Sequence, residues 1–264
     1  MKAAAALVAL LAGLLLTCPV RADERSDSAL AKSQGAIGSE VPDLTFRNVD
    51  GKTVTLGMLR GKPVLLTLIY TGCADVCPAV IESLSPAVDA GAEALGKDSF
   101  SVVTIGFDTK NDTPQRMRSF AQLHGGGGDN WYFLASDAAT MDTLSQAVGF
   151  SYYASAGGFD HMAQVTVIDK AGRIYRQIYG GSFETPEIVE PLKELVFSRE
   201  KPFFSVAGLT DRVKLFCTVY NPATGRYYFN YSLFASIVIG AISLGLVLFV
   251  LVRETRKTIR SHRT

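Results

Sequence analysis

Between positions 40 and 200 the chain alternates short apolar runs with longer stretches of helical periodicity. LTFRNVDGKTVTL (44–56) alternates apolar and polar positions about Asp50-Gly51, which predicts a β-hairpin. Pro63 opens VLLTLIY (64–70), a continuous apolar run that suits a strand buried on both faces. A helix is expected from about Pro78 to Leu95, bent or interrupted at Pro86. FSVVTIGF (100–107) reads as a second buried strand and WYFLA (131–135) as a third. Between them, TPQRMRSFAQLH (113–124) sets Met117, Phe120, Ala121 and His124 at helical spacing, with Thr113 as N-cap, Pro114 at the first helical position and Gly125–Gly128 ending the helix. Asp137 caps a further helix that carries Met141, Leu144 and Val148 on one face. QVTVID and GRIYRQIYG (164–180) form a hairpin about Lys170-Ala171-Gly172, and Ile188, Leu192 and Leu195 mark a last helix. Strands alternating with helices, then a hairpin and a helix, predict an α/β layered domain with a central mixed sheet.

The two ends differ from this body. Residues 1–22 start Met1-Lys2, continue as an Ala/Leu/Val run through Leu16 and reach Val20-Arg21-Ala22, the arrangement of a secretory signal peptide. Residues 23–40 are small and polar without periodicity and are expected to be a flexible leader. The run 232–252 carries no charged residue and has the length of a membrane span. Tyr227, Tyr228, Phe229 and Tyr231 lie just before it as interfacial aromatics. The basic tail 253–264 follows, and the positive-inside rule places that tail in the cytoplasm. The expected organisation is a signal peptide (1–22), a leader (23–40), an α/β domain (41–198) and a membrane-proximal segment (199–231). A transmembrane helix (232–252) and a cytoplasmic tail (253–264) complete it. That topology places the domain in the periplasm, tethered to a bacterial inner membrane. Residues 199–231 have a turn signal at Asn221-Pro222 and Thr224-Gly225 and suit a small hairpin between domain and membrane.

Composition narrows the function classes. A formal net charge of +1 over 264 residues, with no basic stripe in the central region, argues against a nucleic-acid partner. Of four cysteines, Cys18 would leave with a cleaved signal, so Cys73, Cys77 and Cys217 remain in an oxidising compartment. Their odd number leaves at least one thiol outside any intramolecular disulfide. Cys217 is read as a buried free thiol or as a redox partner for the other two.

The chemistry concentrates in YTGCADVCPAV (70–80), at the C-terminal end of the first buried strand. Pro78 suits the first helical position, which makes Cys77 the cap and leaves Cys73 in the approach loop. A loop can bring two sulfurs within disulfide range or converge them on one ion. A helix N-terminus favours the thiolate that both roles require. Redox pair, metal site and structural pair all remain open on these residues alone. A metal would need a third ligand, and the chain has three histidines. His262 lies in the basic tail, and His124 suits the negative end of its helix. His161, after the Ala156-Gly157-Gly158 loop and just before a strand, is the candidate. Two thiolates and an imidazole suit copper, whereas zinc would want a fourth ligand. Asp160 could orient the imidazole, and Met162 is a weaker ligand candidate.

The motif Cys73-Ala74-Asp75-Val76-Cys77-Pro78 after a strand, the Asp160-His161 pair before a late strand, and FDTKNDTP (107–114) between them together resemble the Sco/SenC family. These are thioredoxin-like copper proteins that serve cytochrome c oxidase assembly, and the resemblance covers about residues 40–197. It implies a thioredoxin-like domain with copper on Cys73, Cys77 and His161, and Asp108 near the site. It further implies a metallochaperone that delivers copper to the dinuclear centre of oxidase subunit II, or a thiol–disulfide oxidoreductase that keeps that subunit's cysteines reduced through Cys73 and Cys77. Another periplasmic copper chaperone or a thiol reductase would be a further partner. A peroxidase on the same fold is disfavoured, because no Arg or Lys lies in the loop around Cys73. The chain departs from the many family members held by an N-terminal anchor, since its expected span is C-terminal.

Overall fold

The computed structural model describes residues 24–126, 128–155, 157–197, 218–222 and 224–261. The expected signal peptide, Cys18, Cys217 and His262 lie outside the described residues. A helix α1 (Glu24–Gly35) is followed by strands β1 (Thr45–Asn48), β2 (Thr53–Thr55) and β3 (Val64–Ile69) and by helix α2 (Val76–Leu95). Then come β4 (Ser101–Gly106), α3 (Pro114–His124), β5 (Trp131–Ala135) and α4 (Ala138–Ala147). The hairpins β6 (Tyr152–Ser155)–β7 (Gly158–His161) and β8 (Gln164–Ile168)–β9 (Ile174–Tyr179) precede α5 (Thr185–Phe197). A last hairpin, β10 (Thr218–Asn221)–β11 (Arg226–Phe229), leads into α6 (Ser232–Ser261).

Seven strands form one mixed sheet in the order β2-β1-β5-β4-β3-β8-β9. β3, β4 and β5 are parallel, with Val64 opposite Ser101 and Val102 opposite Trp131. β8 runs antiparallel to β3 and β1 antiparallel to β5. Every residue of β3, β4 and β8 is buried, which explains why these segments read as continuous runs. The sheet follows the thioredoxin-like α/β plan expected from the sequence. The predicted caps also form: the Thr113 side chain accepts from the Arg116 N–H and that of Asp137 from the Thr140 N–H.

Three expectations change. The leader is not a flexible stretch: Glu24–Gly35 is a helix docked on the domain. Its inward face consists of Ala29 and Ser33, one helical turn apart, with Ala36 buried just beyond it. Small and polar side chains give no apolar periodicity, so the signal was missing from the sequence. Side-chain hydrogen bonds hold it instead, from Ser33 Oγ to Gln164 Oε1 (3.1 Å) and from Tyr179 Oη to Ser33 Oγ (3.0 Å). Secondly, α2 begins at Val76 and not at Pro78, and Pro86 sits inside it without ending it. The first N–H groups of a helix have no intrahelical partner, so Pro78 at the third position sacrifices no bond. Thirdly, the β6–β7 hairpin went unpredicted; its two strands are four residues each and belong to neither neighbour in the main sheet.

The membrane-proximal hairpin expected about Asn221–Gly225 is present as β10–β11. It docks on α5, where the nearly buried Lys193 ammonium donates to the Thr218 carbonyl (2.6 Å) and pairs with Glu190 (3.2 Å). Beyond it, α6 is a single helix whose Ile237, Ile239, Ile242, Leu244, Leu246 and Phe249 are exposed. The span expected over 232–252 is not shown. Among the described residues no helix is long and apolar enough to cross a membrane, and positions 233, 247 and 250–252 have side chains outside them.

The docking of α1 makes a stability prediction. Ser33→Ala leaves the buried Gln164 Oε1 without its donor and should lower the unfolding free energy by about 1–3 kcal/mol in urea titration. A change of only a few tenths would mean that α1 does not rest on the domain in solution.

Candidate metal centre

Three elements converge at one end of the central strands because of the sheet's topology. Parallel β3 and β4 deliver Tyr70 and Phe107 to the same end, since Ile69 pairs with Gly106. Antiparallel β8, with Thr67 opposite Val165, starts at that end, so His161 just upstream of Gln164 is brought there too. Carboxyl ends of parallel strands are where α/β sheets open a crevice.

Cys73 and Cys77 are brought together. Both are free thiols, Cys77 buried and Cys73 partly so. The Cys73 sulfur accepts a hydrogen bond from the Cys77 N–H at 3.3 Å. The Asp75 side chain makes no cap hydrogen bond, so Cys73 serves the orphan donors at the start of α2. Cys77 therefore lies within the first turn and is not the cap, a correction to the expected arrangement that retains the helix dipole behind both sulfurs.

The two thiols are made unequal. Burial alone would push the Cys73 thiol up, but hydrogen bonds from the Cys77 and Asp75 N–H groups, the Cys77 thiol and the Tyr70 phenol outweigh it and hold Cys73 below its ordinary value. Burial pushes the Cys77 thiol far up; the Cys73 and Asp112 negative charges add to that, and a Tyr70 backbone hydrogen bond opposes it. Of the two, Cys73 is the thiol that gives up its proton more readily.

His161 ends β7 inside an aromatic box, 5.2 Å from the Phe107 ring, 5.5 Å from Phe150 and 6.1 Å from Tyr70. Its Nδ1 is buried and has no hydrogen-bond partner. Asp160 is exposed and does not hold it, contrary to the orienting role considered for that carboxylate. Burial lowers the imidazole pKa, opposed by the Met162 backbone and the Asp160 charge, so the ring is neutral and able to donate a lone pair near pH 7. A cavity of about 370 Å³ opens beside it, with Asp160, His161 and Met162 on one wall and Arg25, Ser26 and Ala29 of α1 on the other. Among the described residues, no three His, Cys, Asp or Glu side chains lie together closely enough to hold a metal ion. The structure brings the imidazole to the same end of the sheet as the sulfurs, without closing a three-ligand cluster.

The other sequence candidates settle elsewhere. His124 bonds Glu82 (3.2 Å) and packs on Phe120, as a structural residue would. The Asp108 carboxylate accepts from Asn111 Nδ2 (2.7 Å). The acid that touches the cysteine loop is Asp112, which the sequence reading passed over. It is 2% exposed and accepts from the Thr71 N–H (2.8 Å), the Thr71 hydroxyl (2.7 Å) and the Asp108 N–H (2.9 Å). Burial raises its pKa against the pull of those three donors. Gly106 makes room for it, since a Cβ there would lie 2.4 Å from the Asp112 Cβ. Tyr70 was also missed. Both sit in segments whose apolar or Asp-rich character hid a specific contact.

This is a thioredoxin-like α/β domain with a C-x-x-x-C-P thiol pair at a helix start and a half-buried histidine at the same end of the sheet. The sequence matches the SCO1/SenC family over residues 35–196, and the chain belongs to that family. It is 34% identical over 97 residues to the SCO1 protein homolog of Bacillus subtilis, a match that spans 36% of this chain and 48% of that relative. Among solved structures it resembles BsSco, a member of the Sco family of cytochrome c oxidase assembly proteins (TM-score 0.54, 22% identity, 61% of this chain and 96% of that one). It also resembles Arabidopsis thaliana ScoI with copper bound (TM-score 0.51, 20% identity, 58% of this chain and 94% of that one). At these identities the two structures speak for the fold.

The asymmetry of the thiols can be read directly. At pH 7, iodoacetamide should modify Cys73 about tenfold or more faster than Cys77, as followed by peptide mapping of the native chain. The advantage should shrink as pH falls through the depressed Cys73 pKa, where its thiolate is protonated. Equal labelling of both residues would contradict the arrangement.

Proposed function

We propose that this chain is a copper metallochaperone, with copper as its cargo on Cys73, Cys77 and His161. The observation that carries the reading is the buried, unpartnered Nδ1 of His161 at the same end of the sheet as the sulfur pair. A buried polar atom without a partner costs free energy, and a bound ion would recover it. Two sulfurs and an imidazole form a donor set that suits copper in both oxidation states. Copper in ScoI of the same fold supports the choice of ion. Closing the centre requires the hairpin that carries His161 and the cysteine loop to draw together, and Cys77 must release its proton as the ion binds.

The recipient in this reading is the dinuclear copper centre of cytochrome c oxidase subunit II. Family membership and the assembly role stated for BsSco support it. The cargo would arrive from another periplasmic copper chaperone. The exposed apolar residues of α6 between 234 and 249, preceded by Tyr227, Tyr228 and Tyr231 and succeeded in the same helix by the basic residues of 253–260, support an inner-membrane anchor with the domain in the periplasm. A second reading, thiol–disulfide exchange with the subunit's cysteines, is favoured by one observation, the unequal thiols. Cys73 would attack the partner disulfide as thiolate, forming a mixed disulfide that the Cys77 thiolate then resolves once deprotonated, so that two electrons pass to the partner and Cys73–Cys77 becomes oxidised.

The full chain, reduced and in detergent, is expected to bind one copper per chain. Cys73→Ser, Cys77→Ser and His161→Ala should each weaken that binding by about tenfold or more in chelator competition. If His161→Ala retains full affinity while Cys73→Ser abolishes reduction of a partner disulfide, the chaperone reading gives way to the reductase.

A further inference from the structure

The β10–β11 hairpin has two faces of opposite character. Its cross-strand pairs Val219–Tyr228 and Tyr220–Tyr227 lie on opposite sides, because side chains alternate along a strand. Tyr227 faces the domain. Its hydroxyl donates to Glu190 Oε1 (3.1 Å), its ring packs on Tyr220 (5.2 Å), and the Lys193 ammonium lies 5.9 Å from its centroid. Val219 and Tyr228 face away and are 39% and 49% exposed. Arg226, two positions before Tyr228, shares their face and is exposed as well, reaching Glu93 at 3.7 Å. The fold therefore divides the aromatic residues ahead of α6. Tyr227 is kept for the domain, while Tyr228 and Tyr231 are left outside with Val219 beside Tyr228.

The outward face lies close to the surroundings of α6. Only Asn230 and Tyr231 separate β11 from that helix. The Asn230 side chain accepts from the Ser232 N–H (2.9 Å), and Phe229 stacks on Phe234 of the first turn (5.9 Å). Four residues of chain span at most about 14 Å, so Tyr228 lies within about that distance of the start of α6. The exposed apolar side chains of α6 begin there, with Phe234, Ile237 and Val238. Tyrosine and arginine pair an apolar body with a polar or cationic tip, which suits the boundary between acyl chains and anionic headgroups. Continuity with α6 and this chemistry favour lipid over a protein face as the occupant.

We propose that Val219, Tyr228 and Arg226 form a membrane-contact face, which rests in the headgroup layer and seats the domain on the bilayer. The inference rests on the reading of α6 as a membrane anchor. The inward face fastens this plate to α5 through Lys193 and Glu190, and β11 lies along α2 as well. Arg226 meets α2 at Glu93, near its C-terminal end, while the thiol pair lies at its N-terminal end. Sixteen positions of helix separate Cys77 from Glu93, about 24 Å at 1.5 Å per residue. The domain thus sits on lipid by the end of α2 remote from its candidate metal centre, which leaves that centre open to a partner beside it.

The test uses the full chain in vesicles of phosphatidylethanolamine and phosphatidylglycerol, with tryptophan as the reporter. The single natural tryptophan, Trp131, is buried in the sheet and supplies a constant background. Tyr228→Trp should emit at shorter wavelength in vesicles and lose fluorescence to lipids brominated near the top of the acyl chain. Tyr231→Trp should do the same, and Val76→Trp, beside the thiol pair, should keep the emission of a tryptophan in water. Ile239→Trp reports on the anchor itself and should be quenched by lipids brominated deep in the chain. If Ile239→Trp is not quenched, the anchor reading fails and this inference with it. If Ile239→Trp is quenched but Tyr228→Trp emits as in water, the contact face alone is overturned. Quenching of Val76→Trp to the same degree as Tyr228→Trp would overturn the seating by the remote end.

Discussion

The carboxylate of Asp112 is the constraint on which the site depends. Burying it costs free energy, and the three donors from Thr71 and Asp108 offset that cost only if the ends of β3 and β4 stay together. Gly106 admits the side chain beneath the strand end, and Met117 of α3 lies against the same position. The clamp fixes where β3 stops and the cysteine loop begins. Tyr70 precedes the clamped Thr71 and Cys73 follows it by two residues, so both inherit their placement from this bond set. Phe107 occupies the matching place at the end of β4, and the histidine hairpin packs on its ring through Tyr152, Phe159 and His161.

This frame creates a division of labour between groups of the same type. Backbone donors at the start of α2 converge on Cys73, while Cys77 one turn later is enclosed by the core and faces the Asp112 charge. Identical thiols therefore differ in proton affinity because one is solvated by the helix end and the other by hydrocarbon. The histidine is maintained neutral by aromatic walls. A soft ion needs deprotonated sulfur and neutral imidazole; burial favours the neutral imidazole, and the hydrogen bonds to Cys73 ease the loss of its proton.

Away from the site, polar contacts attach the peripheral elements. Ser33 and Tyr179 hold α1 over the edge of the sheet, so the cavity beside His161 has α1 as its far wall. Lys193, Glu190 and Tyr227 attach the β10–β11 hairpin to α5, with Tyr227 Oη bonded to Glu190 at 3.1 Å. The exposed Arg226–Glu93 pair, at 3.7 Å, adds little to that attachment. The hairpin is therefore a docked part of the domain and not a loose linker before α6.

Periodicity and punctuation in the chain were enough for the sheet strands, the Thr113 and Asp137 caps, the hairpins at Asp50-Gly51 and Lys170–Gly172, and the thiol pair. Those features are local: a buried strand must be apolar along its whole length, and a cap is a single side chain three residues from its donor. The sequence also brought out His161 by its place before β8. It did not disclose α1, whose buried face is Ala and Ser, nor the short β6–β7 hairpin, nor the start of α2 at Val76. Asp112, Tyr70 and the unpartnered state of the His161 nitrogen were equally hidden. The docking of α1 and the role of Asp112 depend on partners far along the chain, 41 positions between Thr71 and Asp112 and 131 between Ser33 and Gln164. A hydrogen bond or a buried charge has no period along the chain; only the packing of distant segments decides whether it is satisfied.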